Sequence, residues 1–400
     1  MTRERFAPAL REEIRSLGAS RIREVANSAL GRPGVLPFWF GEPDAVTPSF
    51  IREAAVAALR AGDTFYHHNL GILPLREELA AYLGQRHPPL DVNRLAITSA
   101  GVNALMIAAQ ALIGPGDRVV AVVPLWPNVT EIPRILGAEV ERVALEFDPA
   151  TGLWQLDLQR LLDALTPGTR AVIVNSPNNP TGWVMTRADQ QELLAHCRER
   201  GIWVISDEAY ERLVFDGSTQ APSLLDISDA EDLLMVANTF SKAWQMTGWR
   251  LGWLVAPAVT VPDLGKLIEY NTSCAPGFIQ QAALVALREG EESVHDFVAE
   301  LALRRDALVS ALRAIAGVEV GPPPGAMYLF FRLRGERDSL GLAKRLVAEA
   351  GLGLAPGSAF GPEGEGFLRW CFARPAGQLV DGAERLRRFL AGGGAGARRD

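Results

Sequence analysis

One lysine of this sequence is placed to act as a nucleophile. Lys242 follows an apolar run at 233–237 and lies within the stretch 238–253, with no acidic neighbour in sequence. Burial would favour its neutral amine, and a neutral amine can form a Schiff base with a carbonyl carbon. Arg250 follows in a turn that leads into a second apolar run, 251–256. The alternative is a solvated loop lysine, which most lysines are.

An acid and a tyrosine follow another apolar run, at 202–206. An aspartate directly after a buried strand, as Asp207 is, is costly unless it meets a positive charge. A protonated pyridine nitrogen would supply that charge. Tyr210 comes three residues later, where a helical turn would return its hydroxyl to the same site. For Asp207 alone, a helix N-cap is an equally good interpretation.

Two loops carry groups that suit a flat ring. Trp126 lies between Pro124 and Pro127, so it offers a rigid surface for stacking; the alternative is ordinary packing. The loop 175–182 contains two X-Pro bonds and ends in glycine, which fixes its shape. That shape would direct the Asn179 amide towards a ligand oxygen, although a turn without a ligand has a similar composition.

Two features could bind anions. The small-residue turn 99–105 opens a helix, and Gly101 would let a phosphate approach the free amides at the helix N-terminus. Neither GxGxxG nor the Walker P-loop pattern is present. Arg369 lies among apolar residues, where a guanidinium needs a carboxylate or phosphate in its fork. That partner would be a ligand or an internal acid.

Short apolar runs, each followed by a loop and an amphipathic helix, precede most of these residues. They predict an α/β fold, in which helices sandwich a mainly parallel sheet and ligands bind at the carboxyl ends of the strands. The runs are Leu95–Thr98, Arg118–Val123, Ala171–Asn175, Ile202–Ser206, Leu233–Ala237 and Leu251–Ala256.

After about residue 290 the pattern predicts a smaller α+β domain. This domain would pack with the N-terminal segment, because the extended run 38–40 has no partner in the large sheet. We therefore expect an N-terminal segment at 1–45, a large ligand-binding domain at 46–290, a small domain at 291–392 and a flexible tail at 393–400.

Composition excludes several classes of protein. Hydrophobic residues make up 48% and charged residues 22% of the 400 residues, as in ordinary globular proteins. The net charge of −7 argues against a nucleic-acid partner. No apolar run reaches the about 20 residues of a membrane span, and the five histidines form no metal signature. The three cysteines lack CxxC spacing and predict reduced thiols in the cytoplasm.

One ligand, pyridoxal phosphate (PLP), accounts for a Schiff-base lysine, an acid at a ring nitrogen, a stacking tryptophan and a phosphate site. The sequence also resembles the fold-type I aminotransferases of class I/II, from about residue 36 to residue 375. Four motifs carry the resemblance: Tyr66-x4-Gly71-x3-Leu75-Arg76, Asn179-Pro-Thr-Gly182, Asp207-x-Ala-Tyr210 and Ser241-Lys242-x7-Arg250.

The resemblance implies a role for each residue at the ring. Lys242 would form the internal aldimine and move the proton. Asp207 would pair with the pyridinium nitrogen, and Trp126 would stack on the ring face. Asn179 and Tyr210 would bind the phenolic oxygen.

It also implies a phosphate site, a substrate site and a homodimer with shared active sites. Tyr66 resembles the tyrosine that reaches the phosphate in the neighbouring subunit. Arg369, the Gly41 loop and Asn179 would bind the substrate's α-carboxylate. The phosphate site would consist of the amides of Gly101 and Val102, the hydroxyls of Thr239 and Ser241, and Arg250. Many relatives add a serine or threonine side chain where this chain has Ala100 and Val102.

The implied reaction is transamination between an amino acid and a 2-oxo acid through a pyridoxamine intermediate. A carbon–sulfur lyase on the same fold is the alternative, because the fold alone does not select the reaction. A cofactor-binding regulator would need a DNA-binding domain, for which this chain has no room. It would also need a basic surface, which the net charge of −7 argues against. We expect the residues near 38–39, 66–68 and 327–328 to line a pocket for an apolar or aromatic side chain rather than a dicarboxylate.

Overall fold

Seven strands form the central sheet of the protein, whose computed structural model describes residues 10–393. The strands are β2 (Leu95–Thr98), β3 (Arg118–Val123), β4 (Glu139–Ala144), β7 (Thr169–Asn175), β8 (Trp203–Asp207), β9 (Leu234–Thr239) and β10 (Gly252–Val255). They lie in the order β2-β10-β9-β8-β7-β3-β4. β10 is antiparallel to both neighbours and the other pairs are parallel. The predicted mainly parallel sheet is therefore confirmed.

The central strands are apolar because both faces of the sheet are covered. In β3, Val120 and Val122 belong to one hydrophobic cluster, whereas Val119, Ala121 and Val123 belong to another on the opposite face. Alternate side chains of a strand point to opposite faces. A strand between two layers of helices is therefore apolar at every position.

Thirteen α-helices lie within the described residues. α8 shows how their ends are fixed: the Thr186 side chain accepts the Asp189 N–H, and Gly201 adopts the left-handed conformation at the C-terminus. The helices are α1 (Glu12–Arg15), α2 (Arg21–Ser28), α3 (Ser49–Arg60), α4 (Leu73–Gly84), α5 (Gly101–Leu112), α6 (Pro127–Ile135), α7 (Leu158–Ala164), α8 (Arg187–Arg200), α9 (Val261–Glu269), α10 (Gly277–Glu289), α11 (Glu291–Arg313), α12 (Ser339–Arg345) and α13 (Ala376–Gly393).

A second, antiparallel sheet forms most of the smaller α+β part, as the fold prediction required. Its strands β11 (Val318–Glu319), β12 (Tyr328–Leu333), β14 (Ala355–Pro356) and β15 (Phe367–Cys371) lie in the order β11-β12-β15-β14. Two short pairings complete the β-structure. β1 (Leu36–Pro37) is parallel to β13 (Leu352–Gly353), and β5 (Glu146–Asp148) is antiparallel to β6 (Leu153–Gln155).

Three elements differ from the sequence prediction. The edge strand β4 was not predicted, because most of its side chains are exposed or half-buried and it has no continuous apolar run. The β5–β6 hairpin was missed because each of its strands has only three residues. The sequence of 339–350 also predicts one continuous helix, which in the structure ends as α12 at Arg345 and continues as a π-helical turn over 346–350.

The predicted flexible tail, apart from Gly393, lies outside the described residues, as do residues 1–9 of the charged N-terminal segment. Within 10–393, every helix is too short or too polar to cross a membrane.

Candidate active site

The register of the central sheet brings the predicted residues to one edge. Asn175 at the end of β7 lies opposite Asp207 at the end of β8, and Thr239 at the end of β9 lies opposite Gly252. A cavity of about 510 Å³ opens at this edge. Every predicted site residue except Tyr66 lines it, namely Gly41, Gly101, Val102, Trp126, Asn179, Asp207, Tyr210, Thr239, Ser241, Lys242, Arg250 and Arg369.

The cavity has two ends of different construction. We call the part that is lined by the strand ends, from Gly101 to Lys242 in sequence, the inner end. Four residues from the N-terminal part of the chain line the outer end: Ile22, Arg23, Phe40 and Glu42.

Lys242 extends into the cavity from the turn that follows β9. Its Nζ donates to the Gly41 carbonyl at 2.7 Å and lies 5.4 Å from the centroid of the Tyr210 ring. Burial lowers the pKa of the ammonium to about 8. The neutral amine, which is the form that attacks a carbonyl carbon, is therefore far more populated near neutral pH than it is in an ordinary exposed lysine.

Asp207 is a buried acid at the last position of β8. Its side chain is 6% exposed, and its Oδ1 accepts the Ala209 N–H at 3.2 Å. Burial raises its pKa to about 6. The residues that follow form turns rather than an α-helix, so Asp207 is not a helix N-cap. A buried carboxylate in this position is stabilised by a cation, and a protonated ring nitrogen has that chemistry.

Asn179 connects the groups expected around a ring oxygen. Its Nδ2 donates to the Tyr210 hydroxyl at 3.4 Å, and its Oδ1 accepts from Arg369 at 2.9 Å. Its carbonyl accepts the backbone N–H of Trp126 at 2.9 Å. Burial raises the pKa of Tyr210 well above its usual range, so this hydroxyl is protonated and can donate a hydrogen bond.

Tyr328 on β12 joins this group from the smaller sheet. Its hydroxyl lies 2.8 Å from the Tyr210 hydroxyl. A Cβ atom at Gly41 would lie 2.0 Å from the Tyr328 oxygen. Only glycine therefore fits at position 41 while Tyr328 keeps its place. Burial raises the pKa of Tyr328 as well.

Close backbone approach shapes the part of the inner end where α5 begins. A Cβ atom at Gly252 would lie 2.5 Å from the Gly101 nitrogen, and one at Gly101 would lie 3.0 Å from the Thr239 Cβ. Ala100, just before α5, has a φ of 115°, a region that favours glycine. Ala100 keeps this positive φ directly before Gly101 and Val102, the first residues of α5, which line the cavity.

Hydroxyl and guanidinium groups face those amides. The Thr239 and Ser241 oxygens lie 2.9 Å apart, and the Ser241 N–H donates to the Thr239 hydroxyl at 3.1 Å. The exposed Arg250 donates to the Thr247 carbonyl at 2.6 Å. Hydroxyls, a guanidinium and a helix N-terminus form a suitable donor set for a phosphate group.

Arg369 on β15 is a buried cation without an acidic partner among the described residues. Its side chain is 2% exposed and its guanidinium lies 4.4 Å from the Tyr328 ring and 4.8 Å from the Phe360 ring. It donates to Asn179 and to the Trp39 carbonyl. Its Nε has no partner within the described part of the chain. This guanidinium therefore retains donor capacity for a carboxylate.

Only part of the expected side-chain pocket lines the cavity of this chain. Phe38 is fully buried and Trp39 is 7% exposed, and both pack in the core because β1 leads them under the smaller sheet. Tyr66 is 88% exposed and does not reach the cavity of its own chain. Of the expected side-chain pocket residues, Tyr328 lines the cavity.

Sequence reasoning pointed to the Gly41 loop but missed the part of the outer end that α2 contributes. Ile22 and Arg23 lie on α2, and Phe40 and Glu42 lie in the loop around Gly41. None of these follows a strand of the central sheet, so the strand-end rule could not find them. Within residues 10–393, no group of three or more histidine, cysteine or acidic residues could hold a metal ion.

Comparisons with known proteins agree with this geometry. The family model "Aminotransferase class I and II" matches residues 35–386. A probable aspartate/prephenate aminotransferase of Aquifex aeolicus is 35% identical, over 89% of this chain and 91% of that protein. Aromatic-amino-acid aminotransferase 2 of Thermococcus litoralis is 32% identical, over 96% and 98%.

A solved structure shows the same fold. The crystal structure of an aspartate aminotransferase from Thermotoga maritima is 33% identical and superposes with a TM-score of 0.88, over 96% of this chain and all of that one. Full-length similarity to proteins named as aminotransferases, rather than lyases, favours transamination over elimination. With the matched family model and the residues gathered around the cavity, it follows that this chain belongs to the class I and II aminotransferases and is a transferase enzyme.

Proposed function

We propose that this aminotransferase uses PLP to move an amino group between an amino acid and a 2-oxo acid. The observation that carries the proposal is the pairing of Lys242 and Asp207 at one cavity. Burial lowers the pKa of Lys242 towards the neutral amine that the cofactor requires, and it raises the pKa of Asp207, so that the carboxylate needs a cation such as a protonated ring nitrogen.

The residues present fit each part of PLP. Asp207 has a buried carboxylate for the ring nitrogen. Asn179 and Tyr210 offer donors for the phenolic oxygen, and Trp126 offers a flat surface for the ring. The phosphate would be held by the amides of Gly101 and Val102, the hydroxyls of Thr239 and Ser241, and Arg250, all of which line the cavity.

When bound, PLP supplies an electron sink for the substrate Cα and a carbon that carries the amino group. Lys242 would be the amine that binds the cofactor's carbonyl carbon and the base that takes the Cα proton of the substrate and passes it to that cofactor carbon. A pKa near 8 suits a group that must both accept and donate a proton near neutral pH. Asp207 keeps the ring nitrogen protonated.

Arg369 would bind and orient the α-carboxylate of the substrate. Two aromatic rings lie against its guanidinium, and the planar fork of an arginine matches the two oxygens of a carboxylate. Gly41 and Asn179 would complete the substrate site. The Gly41 carbonyl accepts from Lys242, and the Asn179 Oδ1 accepts from Arg369. Fixing the carboxylate limits the directions in which the Cα–H bond can point, which is a positioning effect on rate.

The active protein is proposed to be a two-fold homodimer with shared active sites. Tyr66 supports this, since it is 88% exposed and lies away from the cavity of its own chain. Phe65 and Tyr270 are similarly exposed, at 81% and 90%. Two-fold dimers are also the commonest homo-oligomers. An active species of monomer mass in light scattering at assay concentration would overturn the dimer.

The proposal includes the organisation and location of the chain. The N-terminal segment 1–45 would associate with a small domain at 291–392, as the pairing of β1 with β13 supports, and 46–290 would form the cofactor-binding domain. The cytoplasm is the proposed compartment, because Cys197, Cys274 and Cys371 are unpaired thiols.

A spectroscopic screen of amino donors tests the proposed reaction. Purified PLP-loaded protein is mixed with single amino acids, and the absorbance of the bound cofactor is followed as it converts to the pyridoxamine form. A 2-oxo acid should then restore the starting spectrum. Release of ammonia from a sulfur-containing amino acid, without formation of the pyridoxamine form, would instead support the lyase alternative.

A further inference from the structure

Residues 39–43 form a loop beside the proposed substrate site, and we call this loop the arch. Phe38 and Asp44 flank the arch, and both are bonded to the chain at the end of β15. The Phe38 carbonyl accepts the Cys371 N–H at 3.1 Å. The Asp44 N–H donates to the Ala373 carbonyl, also at 3.1 Å. The two ends of the arch are therefore held by residues that are two positions apart in sequence.

The arch contacts both cations of the proposed substrate site. The Trp39 carbonyl accepts from Arg369, and the Gly41 carbonyl accepts from the Lys242 Nζ at 2.7 Å. A substrate bound between Arg369 and Lys242 would therefore have the arch as one wall of its site. A displacement of about 1 Å in a group that orients a substrate can lower the rate about a hundredfold. The position of the arch should therefore affect turnover.

The chain on the two sides of the arch is held in different ways. On the first side, Phe38 and Trp39 are buried, and the centroid of the Phe38 ring lies 4.8 Å from that of Trp370. On the second side, residues 41–46 include no buried residue and form neither a helix nor a strand. Apolar packing therefore fixes the first side, whereas the second side depends on polar contacts.

An ion pair with α11 is the most shielded polar contact of the second side. The Asp44 Oδ1 accepts from the Arg304 Nη1 at 2.9 Å, and the two side chains are 20% and 10% exposed. Water and salt screen such a pair less than they screen a surface pair. The neighbouring pair of Glu42 with Arg374 is longer, at 3.9 Å, and the Glu42 side chain is 49% exposed. Asp44 therefore makes the stronger attachment.

Arg304 is also held by its own helix. Its Nη2 donates at 2.6 Å to Glu300, which lies four residues earlier on α11. This bond orients the guanidinium towards Asp44. It also means that a chain without the Asp44 carboxylate would still give Arg304 an acidic partner. Substitution of Asp44 therefore leaves no unpaired buried cation, which would be strongly destabilising.

We propose that Asp44 and Arg304 are positioning residues, whose ion pair holds the arch in place and thereby fixes the Gly41 side of the site for the substrate's α-carboxylate. This inference rests on the proposed transamination and on the proposed substrate site at Arg369 and Gly41. Asp44 and Arg304 do not line the cavity. They therefore act through the arch rather than by touching the substrate.

Amide hydrogen exchange, followed by mass spectrometry on the PLP-loaded protein, tests the position of the arch directly. Asp44→Asn should speed the exchange of the arch amides about tenfold, the scale of one lost hydrogen bond to a charged group. The amides of α11 and β12 should keep the exchange rates of the parent. This pattern would show that the ion pair orders the arch and not the whole smaller sheet.

Turnover gives a second measurement. The kcat/KM for amino acids should fall about tenfold in Asp44→Asn and in Arg304→Gln, mainly through KM, while that for amines without a carboxylate changes by less than about twofold. The double variant should fall no further than either single variant, because both remove the same pair. Arg304→Lys retains the charge and should recover part of the loss.

A matched control lies on the same helix. Asp306→Asn removes a carboxylate that pairs with an arginine of α11, Arg305, at 2.8 Å. Neither residue of that pair lines the cavity. Asp306→Asn should leave the exchange of the arch and the kcat/KM for amino acids unchanged.

The outcomes separate this inference from the proposed function. Arch exchange at the parent rate in Asp44→Asn would overturn the inference. An equal fall in kcat/KM for amino acids and for amines would also overturn it, because the pair would then support only the fold. Additive effects of the two substitutions would contradict a shared ion pair. In each case the parent continues to transaminate. If the PLP-loaded parent converts no amino donor, the proposed function fails, and the exchange measurement still tests the arch.

Discussion

The two ends of the cavity obtain their positions in different ways. At the inner end, Asp207 and Thr239 are the last residues of adjacent strands, so hydrogen-bonded register sets the distance between them. At the outer end, Ile22, Arg23 and Phe40 come from a helix and a loop that pack against other parts of the chain. The inner end is therefore fixed by backbone pairing, and the outer end by side-chain packing.

This difference assigns different tasks to the two ends. A register shift by one residue would turn every side chain of a strand to the opposite face, so the inner end tolerates little change and suits a constant ligand. Residues on a surface helix can change without altering the sheet. Relatives named for aspartate/prephenate and for aromatic amino acids share this family, as expected if side-chain specificity lies outside the inner end.

The largest effect is expected from removal of the inner-end amine. Lys242→Ala should retain PLP without a covalent bond and lose turnover by several orders of magnitude, because both the bond-forming amine and the proton carrier are absent. Borohydride reduction followed by peptide mapping should locate the adduct on Lys242 in the parent. Lys266→Ala removes an exposed lysine paired with Asp263 and serves as the control. An adduct on a different lysine would contradict the assignment.

The residue between the two ends should show the next largest effect. Arg369→Lys keeps the positive charge but loses the planar fork. The kcat/KM for amino acids should fall by roughly two to four orders of magnitude, while cofactor absorbance and melting temperature change little. Amines without a carboxylate should be poor substrates of the parent and almost insensitive to the substitution.

A matched control lies in the same sheet. Arg332→Lys changes an arginine of β12 that pairs with Glu319 away from the cavity, and it should leave kcat/KM unchanged. If Arg369→Lys lowers the melting temperature and leaves the preference for amino acids over amines intact, its role is to support the fold.

The sequence predicts the inner end better than the outer end for a physical reason. Asp207 and Lys242 follow apolar runs, and a run of apolar residues predicts a buried strand. Parallel strands bring their carboxyl ends to one edge of the sheet. Nothing in the residues around Ile22 and Arg23 indicates which face of α2 meets the cavity, because that depends on contacts with the distant β14. Phe38 and Trp39 lie in the core for a similar reason, because they contact Trp370 and Gly353, which are distant in sequence.

The inner end should also make the cofactor-free protein sensitive to pH. Burial raises the pKa of Asp207 from 3.8 to about 6, so the unfolded chain loses this proton near pH 4 and the folded protein near pH 6. Between these values the unfolded state binds fewer protons, and the free energy of unfolding falls as pH rises. The loss amounts to about 3 kcal/mol, at about 1.4 kcal/mol per pKa unit.

Urea unfolding of cofactor-free protein between pH 4 and pH 7 measures this contribution. Asp207→Asn cannot ionise, so the difference in unfolding free energy between parent and variant should change by about that amount and level off above pH 6. Asp263→Asn, at a 72% exposed side chain, controls for the loss of a carboxylate. Parallel curves for the parent and Asp207→Asn would contradict the predicted titration.

The smallest effect concerns the contact by which the smaller sheet supports the inner end. Tyr328→Phe removes the hydroxyl that lies 2.8 Å from the Tyr210 hydroxyl and leaves Asn179, at 3.4 Å, as the remaining side-chain partner of Tyr210. One neutral hydrogen bond contributes about 1 kcal/mol, so kcat should fall about three- to tenfold. The pH titration of the bound cofactor's absorbance should shift, because Tyr210 is proposed to hold the ring oxygen.

Tyr82→Phe is the control, because it also removes a buried hydroxyl, one that is bonded to Arg212 and lies outside the cavity. It should lower the melting temperature without moving the titration, and a Tyr328→Phe variant that behaves in the same way would show that Tyr328 contributes only to packing.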